Sequence, residues 1–163
     1  MGWIRSVGRV SLFAQLILLA ALVPDSPLRH LDEPPYIAAI ASAATTIAIL
    51  IFDLLNDQKT VRRLLALFLA GMPMVYIAAW LTRPSGQSDL WIEIAGLVLF
   101  GTLAALGLVR SIWFLAAGIL AHGLAWDLFH LGSTFIPTWY AVGCAVVDVG
   151  FAAYAASRAL SRS

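Results

Sequence analysis

The chain has a single cysteine, three histidines and few charges: Asp, Glu, Lys and Arg together make up 12% of it. A lone Cys144 excludes a disulfide framework and a cysteine-built metal centre. A formal net charge of +1 supplies no basic surface for nucleic acid. No stretch between the apolar runs is long enough to make a water-soluble domain. No segment alternates polar and apolar residues as a barrel strand would.

What remains is oil. Hydrophobic residues account for 61% of the chain and its mean hydropathy is +0.90, well beyond the range of soluble domains. Residues 1–163 therefore read as one integral membrane domain, all-α, with six spanning helices at about 6–24, 36–56, 61–82, 89–109, 111–132 and 137–159. Most of these come near the roughly 20 residues that a spanning helix needs. Arg5, Arg9, Lys59, Arg62, Arg63, Arg110, Arg158 and Arg162 would gather on one face and only Arg29 and Arg83 on the other. Basic flanks stay on the cytoplasmic side, so both termini are expected inside. The bases at that face suit anionic lipid. The outer loop after the first helix carries Asp25, Asp32 and Glu33 among Pro24, Pro27, Pro34 and Pro35, and reads as an irregular connection. The first apolar run, behind Arg5 and Arg9, also has the form of a signal peptide. An even helix count with a basic C-terminal flank favours a retained helix.

Ionisable residues inside a bilayer cost roughly 2.5–3.5 kcal/mol each on insertion scales, so they should face the bundle interior or reach water. Asp53, near the inner end of its helix, reads as a snorkelling or ion-paired end residue. Trp3, Trp80, Trp91, Trp113 and Trp139 fall near helix ends and read as interfacial anchors. The fifth segment is different. In "AHGLAWDLFHLG", His122, Trp126, Asp127 and His130 lie within an arc of about 140° on an ideal helix. The sixth segment starts behind Pro137 and carries Tyr140, Cys144, Asp148 and Phe151 on one face. Counting residues puts Glu93, Asp127 and His130 near the outer surface and His122 and Asp148 deeper. The small face of Gly96, Ala104 and Gly107 below Glu93 would let that helix approach its neighbours closely.

These residues carry a resemblance. His122, Trp126, Asp127, His130, Pro137, Cys144 and Asp148 follow a pattern of His, three residues, Trp-Asp, two residues, His, then a loop proline and Gly-Cys with Asp four residues after the cysteine. The pattern resembles the C-terminal half of a family of small bacterial integral membrane proteins classed only as a domain of unknown function. "WIE", ending at Glu93, is similar to a Trp and Glu of that family's preceding helix. Relatives often have a second His after the last one, where this chain has Leu131. The resemblance implies a multi-pass protein of a bacterial cytoplasmic membrane and implies no activity.

Glu93, His122, Asp127, His130 and Asp148 are thus candidate catalytic residues converging on one cavity, with Trp126, Tyr140 and Cys144 as candidate substrate contacts. A buried carboxylic acid beside an imidazole can give and take a proton, and a Trp can stabilise a developing cation. That chemistry suits isomerisation, cyclisation or hydrolysis of a lipid or isoprenoid. Asp127 and His130, three residues apart and near Glu93, are similar in spacing to the ligand pairs of di-iron bundles. The full carboxylate set is missing, and His122 lies about 12 Å along the axis from His130. No metal ligand is therefore assigned, and the cofactor stays unknown. Two other readings stay open. Intramembrane acids and histidines mark proton or ion pathways, although no inverted repeat relates the two halves. The Ala/Gly-rich faces also suit a homo-oligomer or an accessory subunit of a membrane complex. In the simplest case the cluster only ties helices together, for roughly 0.6–2 kcal/mol per hydrogen bond.

Overall fold

A computed structural model describes residues 34–55 and 57–161, and every regular element in it is helical. Five helices follow one another: α1 (Pro34–Leu55), α2 (Gln58–Thr82), α3 (Gln87–Val109), α4 (Trp113–Ala121, continuing through a π-helical turn, His122–Asp127) and α5 (Thr138–Leu160). The expected helices from residue 36 onward are present, with ends shifted by a few residues. The count among the described residues is five, not six. The expected helix at 6–24, Trp3 and the loop as far as residue 33 lie outside those residues, whereas Pro34 and Pro35, expected in the loop, open α1, where a first-turn proline costs no hydrogen bond.

Local chemistry accounts for the helix ends. The Asp57 side chain caps α2 by accepting from the backbone N–H groups of Lys59 and Thr60. The Thr60 hydroxyl and then the Lys59 amide hold its carboxyl below the usual carboxylate range. At the start of α3, Asp89 reaches back to the Gly86 N–H. Gly132, at φ +84°, turns the chain between α4 and α5 in a conformation that side chains resist.

Helices α1, α2, α3 and α5 are each long and apolar enough to cross a membrane. Their outer faces agree, since Leu54, Leu67, Val98 and Val109 are all largely exposed. Exposed apolar residues on so many helices are tolerable in lipid and not in water. The buried stripe of α3, Glu93, Gly96, Phe100, Ala104 and Gly107, repeats every three or four residues, as a helix face requires. A side chain at Gly107 would strike Leu115, and one at Gly118 would strike Leu69, so these glycines let α2, α3 and α4 pack closely. Leu65, Leu69, Phe100, Leu115 and Ile119 fill the space between them.

Around the bundle the helices are ordered α2, α3, α4, α5, α1, each packed on the next. Among the described residues the ring stays open between α1 and α2. These two helices are adjacent in sequence yet hardly touch, and a groove enters the bundle there.

Candidate functional site

Three of the five candidate acid/base residues meet at the floor of that groove or directly behind it. His122 and Asp127 lie on the π turn of α4, and Asp148 comes from the middle of α5. Their side chains are 0–1% exposed. His122 Nδ1 lies 2.9 Å from Asp148 Oδ2 and 3.3 Å from Asp127 Oδ1. A π turn pairs residues five apart along the chain, which brings His122 and Asp127 to the same face. Gly123 makes room for Asp148: a methyl added there would stand 2.6 Å from Asp148 Cβ.

Tyr76, on α2, joins this group by donating its hydroxyl to Asp127 Oδ1 at 2.5 Å. Its ring also packs against His130, with centroids 4.6 Å apart. Sequence reasoning missed it. The available signal was a tyrosine in the middle of the apolar run "GMPMVYIAAW", three residues after the buried Pro73.

The other two candidates form a separate pair. His130 Nε2 is 2.6 Å from Glu93 Oε1, and His130 Nδ1 is 2.8 Å from the Trp126 carbonyl. A carbonyl can only accept, so Nδ1 carries a proton. One further proton then lies between Nε2 and Glu93, giving either imidazolium with carboxylate or imidazole with carboxylic acid. The pair borders a polar cavity of about 360 Å³ at the Gly86 end, with Asp89, Ser133 and Thr134. Asp127 was expected beside Glu93 and His130. Instead it turns to His122, Asp148 and Tyr76, because the π turn rotates it, and Tyr76 spans the two groups.

The groove has a volume of about 530 Å³. Apolar residues such as Ile40, Leu67 and Val75 line its mouth, and Tyr76, His122, Tyr140, Cys144 and Asp148 line its depth. Tyr140 and Cys144, the candidate substrate contacts, thus both line the groove. Trp126 does not line it. The indole packs on Phe100 and His130 and over Gly96, where a side chain would collide with it.

At the Asp57 end a third polar group closes the bundle. Asp53 Oδ1 lies 3.3 Å from Arg158 Nη2 and accepts from the Tyr154 hydroxyl at 3.1 Å, while Arg158 Nε donates to the same hydroxyl at 3.0 Å. Asp53 is therefore an ion-paired end residue. Phe151 stands between Asp148 and Tyr154 along α5 and packs on Phe52 and Phe68, with ring centroids 5.6 and 4.8 Å away.

Several buried polar atoms of the first cluster have no hydrogen-bond partner among the described residues: His122 Nε2, Asp127 Oδ2 and Asp148 Oδ1. Such atoms are costly in a purely structural staple. One ligand atom from each of these three residues lies within 4.8 Å of the others, so together they are able to hold a cation.

A family of unknown function (DUF6010) matches the chain over residues 35–161. The chain belongs to that family. No curated protein and no solved structure matches it.

Proposed function

We propose that this family member is a membrane-embedded enzyme that draws a lipid or isoprenoid into the groove between α1 and α2 and moves a proton at its polar end. One observation carries this reading. An apolar groove of about 530 Å³, open on the bundle's outer surface, ends on buried His122, Asp148 and Tyr76. Its volume falls within the usual range for small-molecule sites, and apolar walls with a few convergent polar groups are the usual composition.

In this reading the walls hold the hydrocarbon part and exclude water, while Tyr140 and Cys144 touch the polar end. The proton shared among His122, Asp127 and Asp148 is the one that moves. With Nδ1 facing two carboxylates, a proton given up by the substrate is held as imidazolium between two acids, and can be returned to another position of the same molecule. Tyr76 keeps Asp127 aimed at His122. The Glu93–His130 pair, beside the polar cavity, is placed to exchange protons with water at the Gly86 end.

A proton or ion pathway through the bundle fits less well. Among the described residues, Phe52, Phe68 and Phe151 pack together between Asp148 and the Asp53–Arg158 pair, and three apolar rings offer no group that passes a proton from one to the other.

Gly71 supplies the test, because it lines the groove and a side chain there meets nothing within 4 Å. Gly71→Phe should fold as well as the parent, since replacing a helical glycine favours the helix. The parent should purify with a bound lipid and Gly71→Phe without it, read by mass spectrometry of extracts. Retention of the same lipid at the same occupancy would refute the reading. So would efficient disulfide formation between Gly71→Cys and a cysteine introduced within residues 6–24, which would show that the chain itself fills the groove.

A further inference from the structure

We infer that His122, Asp127 and Asp148 form a binding site for one divalent first-row metal ion. The inference rests on the donor geometry and does not depend on the groove holding a lipid.

His122 Nδ1 stands 3.3 Å from Asp127 Oδ1 and 2.9 Å from Asp148 Oδ2, and one ligand atom from each of the three residues lies within 4.8 Å of the others. Donors at bond lengths of about 2.0–2.2 Å around a tetrahedral ion stand roughly 3.3–3.6 Å apart, so small side-chain adjustments turn this triangle into three ligands. Charge points the same way. Two carboxylates at 0% exposure have only His122 as an ion-pair partner among the described residues, and no Lys or Arg pairs with them. A divalent ion would take the place of the proton that these three residues otherwise share at His122 Nδ1, so ion and proton compete for the site; with the imidazole neutral, the ion cancels both carboxylate charges in surroundings where net charge is expensive.

The remaining oxygens, Asp127 Oδ2 and Asp148 Oδ1, are buried without partners and are free to complete bidentate contacts. Tyr76 donates to Asp127 Oδ1, the oxygen of the triangle itself, and so fixes the direction of that carboxylate. One imidazole with two carboxylates suits Zn²⁺, Mn²⁺ or Fe²⁺ more than a thiolate-seeking ion. Three protein ligands leave a coordination position, and since His122 and Asp148 line the groove, that position faces it. This is a different set from Asp127, His130 and Glu93, because the π turn takes Asp127 away from His130.

The test uses the whole chain in mild detergent, stripped with chelator and then titrated with Zn²⁺ and with Mn²⁺. The wild type should bind about one equivalent, Asp148→Asn should bind at least about 10-fold more weakly, and Glu93→Gln should bind as the wild type does. X-ray absorption at the zinc edge of the wild-type protein should give one imidazole and otherwise oxygen ligands at about 2.0–2.2 Å. This second measurement needs no variant to fold. No saturable binding by the wild type, equal binding by Asp148→Asn, or two imidazoles in the zinc shell would overturn the assignment.

Discussion

His122 and Asp127 are five residues apart on one helix, yet Nδ1 of the first lies 3.3 Å from Oδ1 of the second. On an ideal α-helix, residues five apart point about 140° away from each other. The π turn between them removes that divergence. Such turns are rare, and they recur at functional sites because they re-aim side chains that a regular helix would separate.

The turn also presses α4 against α5, and Gly123 is the residue that permits it. Gly123→Ala should destabilise the protein by about 1–3 kcal/mol, the usual range for overpacking, because its methyl would lie 2.6 Å from Asp148 Cβ. Gly101→Ala, at a position with open space, should not. Thermal unfolding of both variants in the same detergent checks the contrast; equal midpoints would mean that the helices separate without cost.

How much of this was legible beforehand depends on the residue. Four helices long and apolar enough to span a membrane could be read from the apolar runs, and the stripe from Glu93 to Gly107 from its spacing; the run at 111–132, expected to span, is instead broken by the π turn. His122 with Asp148, and Glu93 with His130, follow from depth counting, since rise per residue is nearly constant along a helix. The place of Asp127 could not be found that way, because a wheel drawn at a uniform 100° per residue has no room for a π turn. Tyr76 was missed for another reason. Tyrosine is common in apolar helices, and only the tertiary fold brings its hydroxyl to Asp127. Asp53 was recognised as an end residue, but its partners Tyr154 and Arg158 are one hundred residues away and no local pattern joins them.

That pairing gives a second prediction. Asp53→Ala would leave Arg158, 8% exposed, with its charge poorly compensated, and should lower stability by about 1–3 kcal/mol. Combining it with Arg158→Met should recover part of the loss. If the double variant is no more stable than Asp53→Ala alone, the ion pair contributes little.

Orientation is the third. The bias of basic residues predicts the C-terminal end and the Asp57 turn on the cytoplasmic face and the Gly86 loop on the other. Reporter fusions after Ser163 and within the loop at Gly86 should report opposite sides, with Gly86 outside. Both reporters on one side would contradict the topology.

The most direct test of the account is made on Asp127, which touches both His122 and Tyr76. Asp127→Asn keeps the size and one acceptor oxygen for Tyr76, and it removes a charge that is expensive in the membrane. Thermal stability and retention of the co-purifying lipid or its conversion are measured on the same preparations of wild type and variant. If the cluster moves a proton, as the account holds, the variant is as stable as the wild type or more so, with conversion or retention reduced by about 100-fold, the scale on which a lost proton-transfer group acts. A variant that is much less stable, yet binds or converts normally per folded molecule, would contradict it and leave the cluster a structural staple.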